Sequence, residues 1–195
     1  YATWRAQGHM WKAPRWPQGA TPGPLISVVM PVYRPDIGHF QAAVASVLAQ
    51  DYPHWELCLA DDASGDAPLR ELMQQMAASD PRIKVVFRDK NGHISACSNS
   101  ALALATGEYV LLFDQDDLLP VHAIGVVAMA AVTHPEAAII YSDEDKVDES
   151  GSVHFGPYFK TDFDHELFLG QNLISHLGVY RRDLVVAVEG FRLGL

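Results

Sequence analysis

Tyr109-Val110-Leu111-Leu112-Phe113-Asp114-Gln115-Asp116-Asp117 decides how this chain is read: an apolar, strand-like run stops abruptly in three carboxylates. Such acids have no place inside a buried strand, because burying an unpaired charge is costly. At the carboxyl end of a strand in an open α/β sheet the crevice opens, and there ligands bind. Carboxylate oxygens suit hard divalent cations, and Mg2+ commonly takes one or two of them together with substrate phosphates. The run therefore reads as a strand tip that presents a metal ion to a phosphorylated ligand. A helix start competes with this reading, since Asp caps helices and complements their dipole, and Leu118-Leu119-Pro120 follows directly. Capping accounts for one acid well and for three poorly.

Outward from this run the chain alternates. Leu25 to Val32 is a short β-branched run, Trp55 to Ala60 a second and Ile83 to Phe87 a third, so that Tyr109 to Phe113 is the fourth. Continuous apolar runs of this length are the mark of buried parallel strands. Between them, helical spacing covers Ile37 to Gln50 and Leu69 to Ala78, and an alanine-rich helix runs from Ser95 to Ala105 before Thr106-Gly107. Strands interleaved with helices predict a doubly wound α/β sheet. Further on, the pattern predicts a helix over 120–133, a strand over 137–141 and a hairpin turn at Asp148-Glu149-Ser150-Gly151 leading into 153–159. A short helix over 164–170, a strand over 176–180 and a helix over 182–188 complete it. Tyr1 to Pro24 stands apart: it holds three of the four tryptophans and four prolines with little periodicity, and reads as an arm or leader before a domain over 25–195.

Three predicted strands end in acids, namely Asp61-Asp62, Asp114-Gln115-Asp116-Asp117 and Asp143-Glu144-Asp145. Each cluster alone can be turn chemistry. In a parallel sheet, however, all strand C-termini share one edge, and acids crowded there repel unless a cation or ligand compensates. The chain has no G-x-x-x-x-G-K-[ST] loop and no G-x-G-x-x-G after its first strand, which excludes a P-loop protein and argues against a dinucleotide enzyme. No Cys/His pair has zinc-ligand spacing, and no serine sits in a nucleophile elbow. His93, between a strand and a helix, is within reach of a phosphate or simply solvated; His176 is open to the same two readings, ligand or structural.

Composition sets the outer limits. Apolar residues make up 49% and charged residues 19%, ordinary for a globular enzyme. A net charge of −10 argues against nucleic acid as a partner. A metal-bridged nucleotide tolerates that charge, because the ion supplies the local positive field. Two cysteines, Cys58 and Cys97, give no disulfide framework and point to a reducing compartment. The sequence has no apolar run of about 18 residues to span a membrane, and the neighbours of Tyr1 lack a signal-peptide core. The expectation is a cytoplasmic chain, with peripheral contact at the inner membrane face left open.

These motifs together resemble family 2 glycosyltransferases. The resemblance is carried by Ile26-Ser27-Val28-Val29-Met30-Pro31-Val32-Tyr33, Asp61-Asp62-Ala63-Ser64-Gly65-Asp66, Asn91-Gly92-His93-Ile94-Ser95 with Asn99, and Gly107-Glu108-Tyr109 running into the acidic tip. Tyr141 to Lys146 and Ile174 to Arg182 are similar to the subgroup linked to bacterial surface-polysaccharide assembly. The resemblance implies a GT-A fold, a mostly parallel Rossmann-like sheet flanked by helices. It further implies inverting transfer of a sugar from a nucleotide-sugar donor, UDP- or dTDP-linked, to a glycan or lipid-linked acceptor. By the same resemblance Pro31, Val32, Tyr33, Asp61 and Asp62 line the base and ribose pocket. Asp114 and Asp116 form the D-x-D element that meets ribose and a divalent cation, Mg2+ or Mn2+, and Asp117 extends that cluster.

The chain departs from the pattern at its end. In the family the catalytic base comes from an acidic motif beyond a Gly-Phe-Arg segment, and this sequence stops at Gly190-Phe191-Arg192-Leu193-Gly194-Leu195. The base is therefore expected beyond Leu195, in a domain cut short on its C-terminal side, with Asp143, Glu144 and Asp145 as the weaker in-chain candidates. Two other functions compete. A non-catalytic nucleotide-sugar-binding module fits the missing base. A metal-dependent nucleotidyltransferase would want a basic loop near the first strand, where only Arg34 is available.

Overall fold

The computed structural model describes residues 23–194, together with 1, 3, 15–17, 19 and 21. The strands β1 (Ile26–Val32), β2 (Trp55–Asp61), β3 (Ile83–Phe87) and β4 (Tyr109–Leu112) lie parallel, as their mostly apolar runs predict. β5 (Ile139–Tyr141), β6 (Glu144–Val147), β7 (His154–Tyr158) and β8 (Gly178–Arg181) follow. Six strands form one sheet in the order β3-β2-β1-β4-β8-β5, while β6 and β7 pair as a separate two-stranded arm. β8 is antiparallel to both β4 and β5, so β5 points the same way as β4. The C-terminal ends of β1, β2, β4 and β5 thus share one edge with the start of β8.

Alternation along β1 builds two layers. Val28 and Met30 enter a core with Leu57, Leu59 and Leu111, under the helices α1 (Ile37–Leu48), α2 (Ala67–Ser79) and α4 (Ala123–Thr133). Val29 faces the other way and joins Cys58, Ala60 and Val110 beneath Cys97 and Ala101 of α3 (His93–Leu102). In α1, Phe40, Ala43, Val44 and Val47 are buried at helical spacing, and Asp36 caps the helix by accepting the His39 N–H at 3.0 Å. Asp66 does the same for α2 through the Leu69 N–H. α5 (His165–Gly170) and α6 (Arg182–Ala187) are short. No helix among the described residues is long and apolar enough to cross a membrane.

Several boundaries differ from the sequence expectation. α3 starts at His93 rather than Ser95 and stops at Leu102, where the Leu104 and Ala105 N–H groups turn to carbonyls three residues back and the Thr106 N–H goes to Glu56 at 2.6 Å. α4 starts at Ala123, since Pro120 uses its carbonyl to cap a turn and to accept from the Gln50 side chain. Glu144 and Asp145 lie inside β6 rather than beyond a strand tip. The hairpin turn stands where expected: the Asp148 carboxylate accepts the N–H groups of Ser152 and Val153, and Gly151 takes φ 68°. Most of the expected arm over 1–24 falls outside the described residues; Trp16 packs edge-on against Tyr52, ring centroids 5.0 Å apart.

Candidate functional site

A cleft of about 380 Å3 opens at the shared edge, within the usual size of a ligand site. Pro31, Val32 and Tyr33 form one wall, Asp114, Gln115 and Asp116 another, and Asn91, His93, Ile94 and Cys97 a third, with Asp62 at the join. Every sequence-predicted nucleotide residue except Asp61 lines it. Asp61 closes β2 at 5% exposure, and its carboxylate accepts the Ser64 N–H, which shapes the loop that follows.

Two side chains that the sequence reading gave no role hold the walls together. Gln115 accepts the Tyr33 N–H at 2.8 Å and donates to the Tyr33 carbonyl at 3.3 Å. Arg88, just past β3, places its Nε 2.7 Å from the Asp62 carboxylate and donates to the Ala96 carbonyl and the Ser100 hydroxyl. Asp62, 1% exposed, also accepts the Gly92 N–H at 3.0 Å. A Cβ on Gly92 would lie 2.5 Å from the Arg88 guanidinium and 2.8 Å from the Ala96 Cβ, so glycine there leaves Arg88 room to reach Asp62. No sequence periodicity marks Arg88; only the fold brings it to Asp62.

At the mouth of the cleft, Asp114, Asp117 and His176 each offer a ligand atom, and these atoms lie within 4.8 Å of one another. His176 Nδ1 is 3.3 Å from Asp117 and Nε2 is 3.7 Å from Asp114. It arrives from the start of the antiparallel β8, which threads between β4 and β5. Burial raises the carboxyl pKa values of Asp114 and Asp117; His176 opposes this, and neighbouring acids, Asp116 among them, reinforce it. Like charges gathered at a half-buried edge are the environment a cation relieves. Two carboxylates fit Mg2+ or Mn2+, and an imidazole beside them favours the softer Mn2+. Asp116 is exposed on the cleft side and stands outside this three-residue cluster.

The three in-chain acids weighed as a base are occupied. Asp143 accepts the Lys160 N–H at 2.8 Å, and Glu144 accepts the His176 N–H at 2.9 Å. Asp145 bonds His154 Nδ1 at 2.8 Å and the Tyr1 hydroxyl. Asn99 grips Phe191 by both its N–H and its carbonyl at 2.8 Å, which fixes the Gly190-Phe191 segment against α3. A second cavity, about 530 Å3, lies at the opposite edge of the sheet between Pro24, Gly107, Tyr109 and Arg182; there Arg181 pairs with Asp183 at 2.5 Å and Arg182 donates to the Gly107 carbonyl at 2.7 Å.

The chain has relatives in sequence and in fold. The y4gI protein of Sinorhizobium fredii is 49% identical over 172 residues, 88% of this chain and 19% of its own length. The O-antigen biosynthesis protein RfbC of Myxococcus xanthus is 34% identical over 171 residues, 88% of this chain and 13% of its own. This chain therefore spans a fifth or less of these two relatives. Among solved structures, the mannosyltransferase PcManGT of Pyrobaculum calidifontis, in complex with GDP-Man and Mn2+, matches with a TM-score of 0.65 at 20% identity, covering 100% of this chain and 55% of that one. That likeness shows the fold, which is GT-A. The profile of the family described as "Glycosyl transferase family 2" matches residues 27–188, and the chain belongs to that family.

Proposed function

We propose that this chain forms the donor-binding part of a metal-dependent, inverting glycosyltransferase of surface-polysaccharide assembly, moving a sugar from a nucleoside-diphosphate donor to a glycan or lipid-linked acceptor. The observation that carries the reading is the convergence of Asp114, Asp117 and His176 within 4.8 Å at the mouth of the cleft lined by Pro31, Val32 and Tyr33. The β1 tip receives the base, Asp62 and Asp114 face the ribose, and the acidic cluster with His176 holds the cation; Asp116 projects toward the diphosphate. A bound divalent ion would neutralise charge developing on the departing nucleoside diphosphate. Inversion needs a carboxylate base on the opposite face of the sugar. Asp143, Glu144 and Asp145 already serve other partners, so we assign the base to none of them and keep it with the acidic motif that the family places after Gly190-Phe191-Arg192.

That occupancy also favours one alternative, a nucleotide-sugar-binding module without transfer. Calorimetric titration of UDP, dTDP and GDP with Mn2+, repeated with EDTA, tests the site common to both. The expected result is UDP or dTDP binding that vanishes with EDTA; no binding under any condition would overturn the reading. Donor hydrolysis or transfer then separates enzyme from binding module.

A further inference from the structure

His176 stands on a stretch between α5 and β8 that has no regular secondary structure, yet its ring must lie between two carboxylates of the β4 loop. A side chain on an irregular segment is aimed only if its backbone is pinned. Here one ion pair pins both sides of the residue. The His176 N–H donates to Glu144 Oε2 at 2.9 Å, and the His176 carbonyl accepts from Lys160 Nζ. Lys160 Nζ also donates to the Ile174 carbonyl at 2.6 Å and lies 3.6 Å from the same Glu144 oxygen. An ammonium has three donors, and at Lys160 all of them are directed at Glu144 and at residues 174 and 176. The Lys160 side chain is 1% exposed, so its charge is balanced there and not by water. The backbone N–H of Lys160 donates to Asp143 at 2.8 Å, which ties this anchor to the segment entering β6.

We propose that the Glu144–Lys160 pair is the positioning device of the metal centre: it holds the His176 backbone from both sides and so sets the centre's affinity for the divalent cation. The inference rests on the metal reading proposed above. Neither residue touches the cation; both act through His176. Groups that orient a ligand in this way typically change metal affinity about 10- to 100-fold when removed.

The test uses the 195-residue chain with Mn2+ alone as the probe. Affinity is read from the electron paramagnetic resonance signal of free Mn2+, and imidazole ligation from the 14N modulation of bound Mn2+. His176→Ala should abolish the modulation. Lys160→Met should lower affinity about tenfold or more and weaken the modulation, and Lys160→Arg should restore most of both. A folded Lys160→Met chain with wild-type affinity and modulation overturns the proposal. Should Lys160→Met fail to fold, Glu144→Gln decides: it should weaken binding severalfold, and unchanged affinity and modulation overturn the proposal. A wild-type chain that binds no Mn2+ overturns the metal reading instead. The anchor is then judged by amide exchange over residues 174–177 without metal, where faster exchange in the variant supports it and unchanged exchange overturns it.

Discussion

The Gln115 side chain holds both backbone polar groups of Tyr33, at 2.8 Å and 3.3 Å, so the one uncharged residue of the acidic tip fixes the opposite wall of the cleft. The loop after β1 and the loop after β4 are therefore one unit. Tyr33 is 42% exposed, and the Arg34 guanidinium lies 5.3 Å from its ring centroid. Nothing else in the β4 loop reaches the Tyr33 backbone among the described residues.

Removing that contact should loosen the wall proposed to bind the base without touching the proposed metal ligands. Gln115→Ala deletes two hydrogen bonds at a partly exposed position, together worth about 1 kcal/mol. Nucleotide affinity should fall about fivefold, while Mn2+ affinity in the absence of nucleotide stays unchanged. Calorimetry of both ligands checks this; a parallel loss of Mn2+ binding would show that Gln115 acts on the acids instead.

Asp62 makes a different prediction, because its carboxylate is both a cleft residue and the partner of Arg88. Asp62→Ala leaves a largely buried guanidinium uncompensated, which costs about 3 kcal/mol or more. Denaturant unfolding should show that loss, and nucleotide binding in the presence of Mn2+ should weaken while affinity for Mn2+ alone is unchanged. Replacing both, Asp62→Ala with Arg88→Leu, should recover part of the stability and none of the binding. If the single substitution leaves both properties intact, Asp62 is only a turn residue.

The sheet core and two of the acidic tips were legible because burial on both faces leaves a mostly apolar run, and the run stops where the edge begins. β1 and β2 are fully or almost fully buried along their length, and the sequence pattern reports that directly. β6 and β7 form a sheet of their own, and β6 carries Glu144, Asp145 and Lys146 in succession, so no alternation marks it, and Glu144 and Asp145 read as an extension of a strand tip. Asp61 and Asp62 look alike in sequence; their separate fates follow from Asp61 turning to Ser64 and Asp62 to Arg88. His176 joins the acids only because β8 runs antiparallel between β4 and β5, and topology of that kind leaves no local signal.

The acids themselves divide by position. Asp117 belongs to the three-residue cluster with His176, whereas Asp116 is exposed toward the cleft. Asp117→Ala should lower affinity for Mn2+ alone by about tenfold or more, about 1.4 kcal/mol. Asp116→Ala should abolish metal-dependent donor binding and leave the melting curve unchanged. A variant at 116 that binds donor with wild-type affinity and metal dependence would remove that residue from the site.

Acid stability should report the polar knot beneath the sheet. Glu56 is 5% exposed and burial raises its pKa, yet the Lys84 ammonium at 2.6 Å, the Thr106 N–H and the Ser27 hydroxyl outweigh burial and bring it down to about 2 from an ordinary 4.5. A folded-state pKa below the unfolded one means that the unfolded chain binds the proton first as pH falls. The contribution is therefore complete above about pH 5 and is lost between pH 4.5 and pH 2. Its size, from a difference of about two and a half pH units, is about 3 kcal/mol. Glu56→Gln cannot titrate, so the stability gap between wild type and variant should be constant from pH 8 to pH 5 and shrink steadily toward pH 2. Urea unfolding at stepped pH measures the gap, and a gap that stayed level down to pH 2 would remove Glu56 from the acid response.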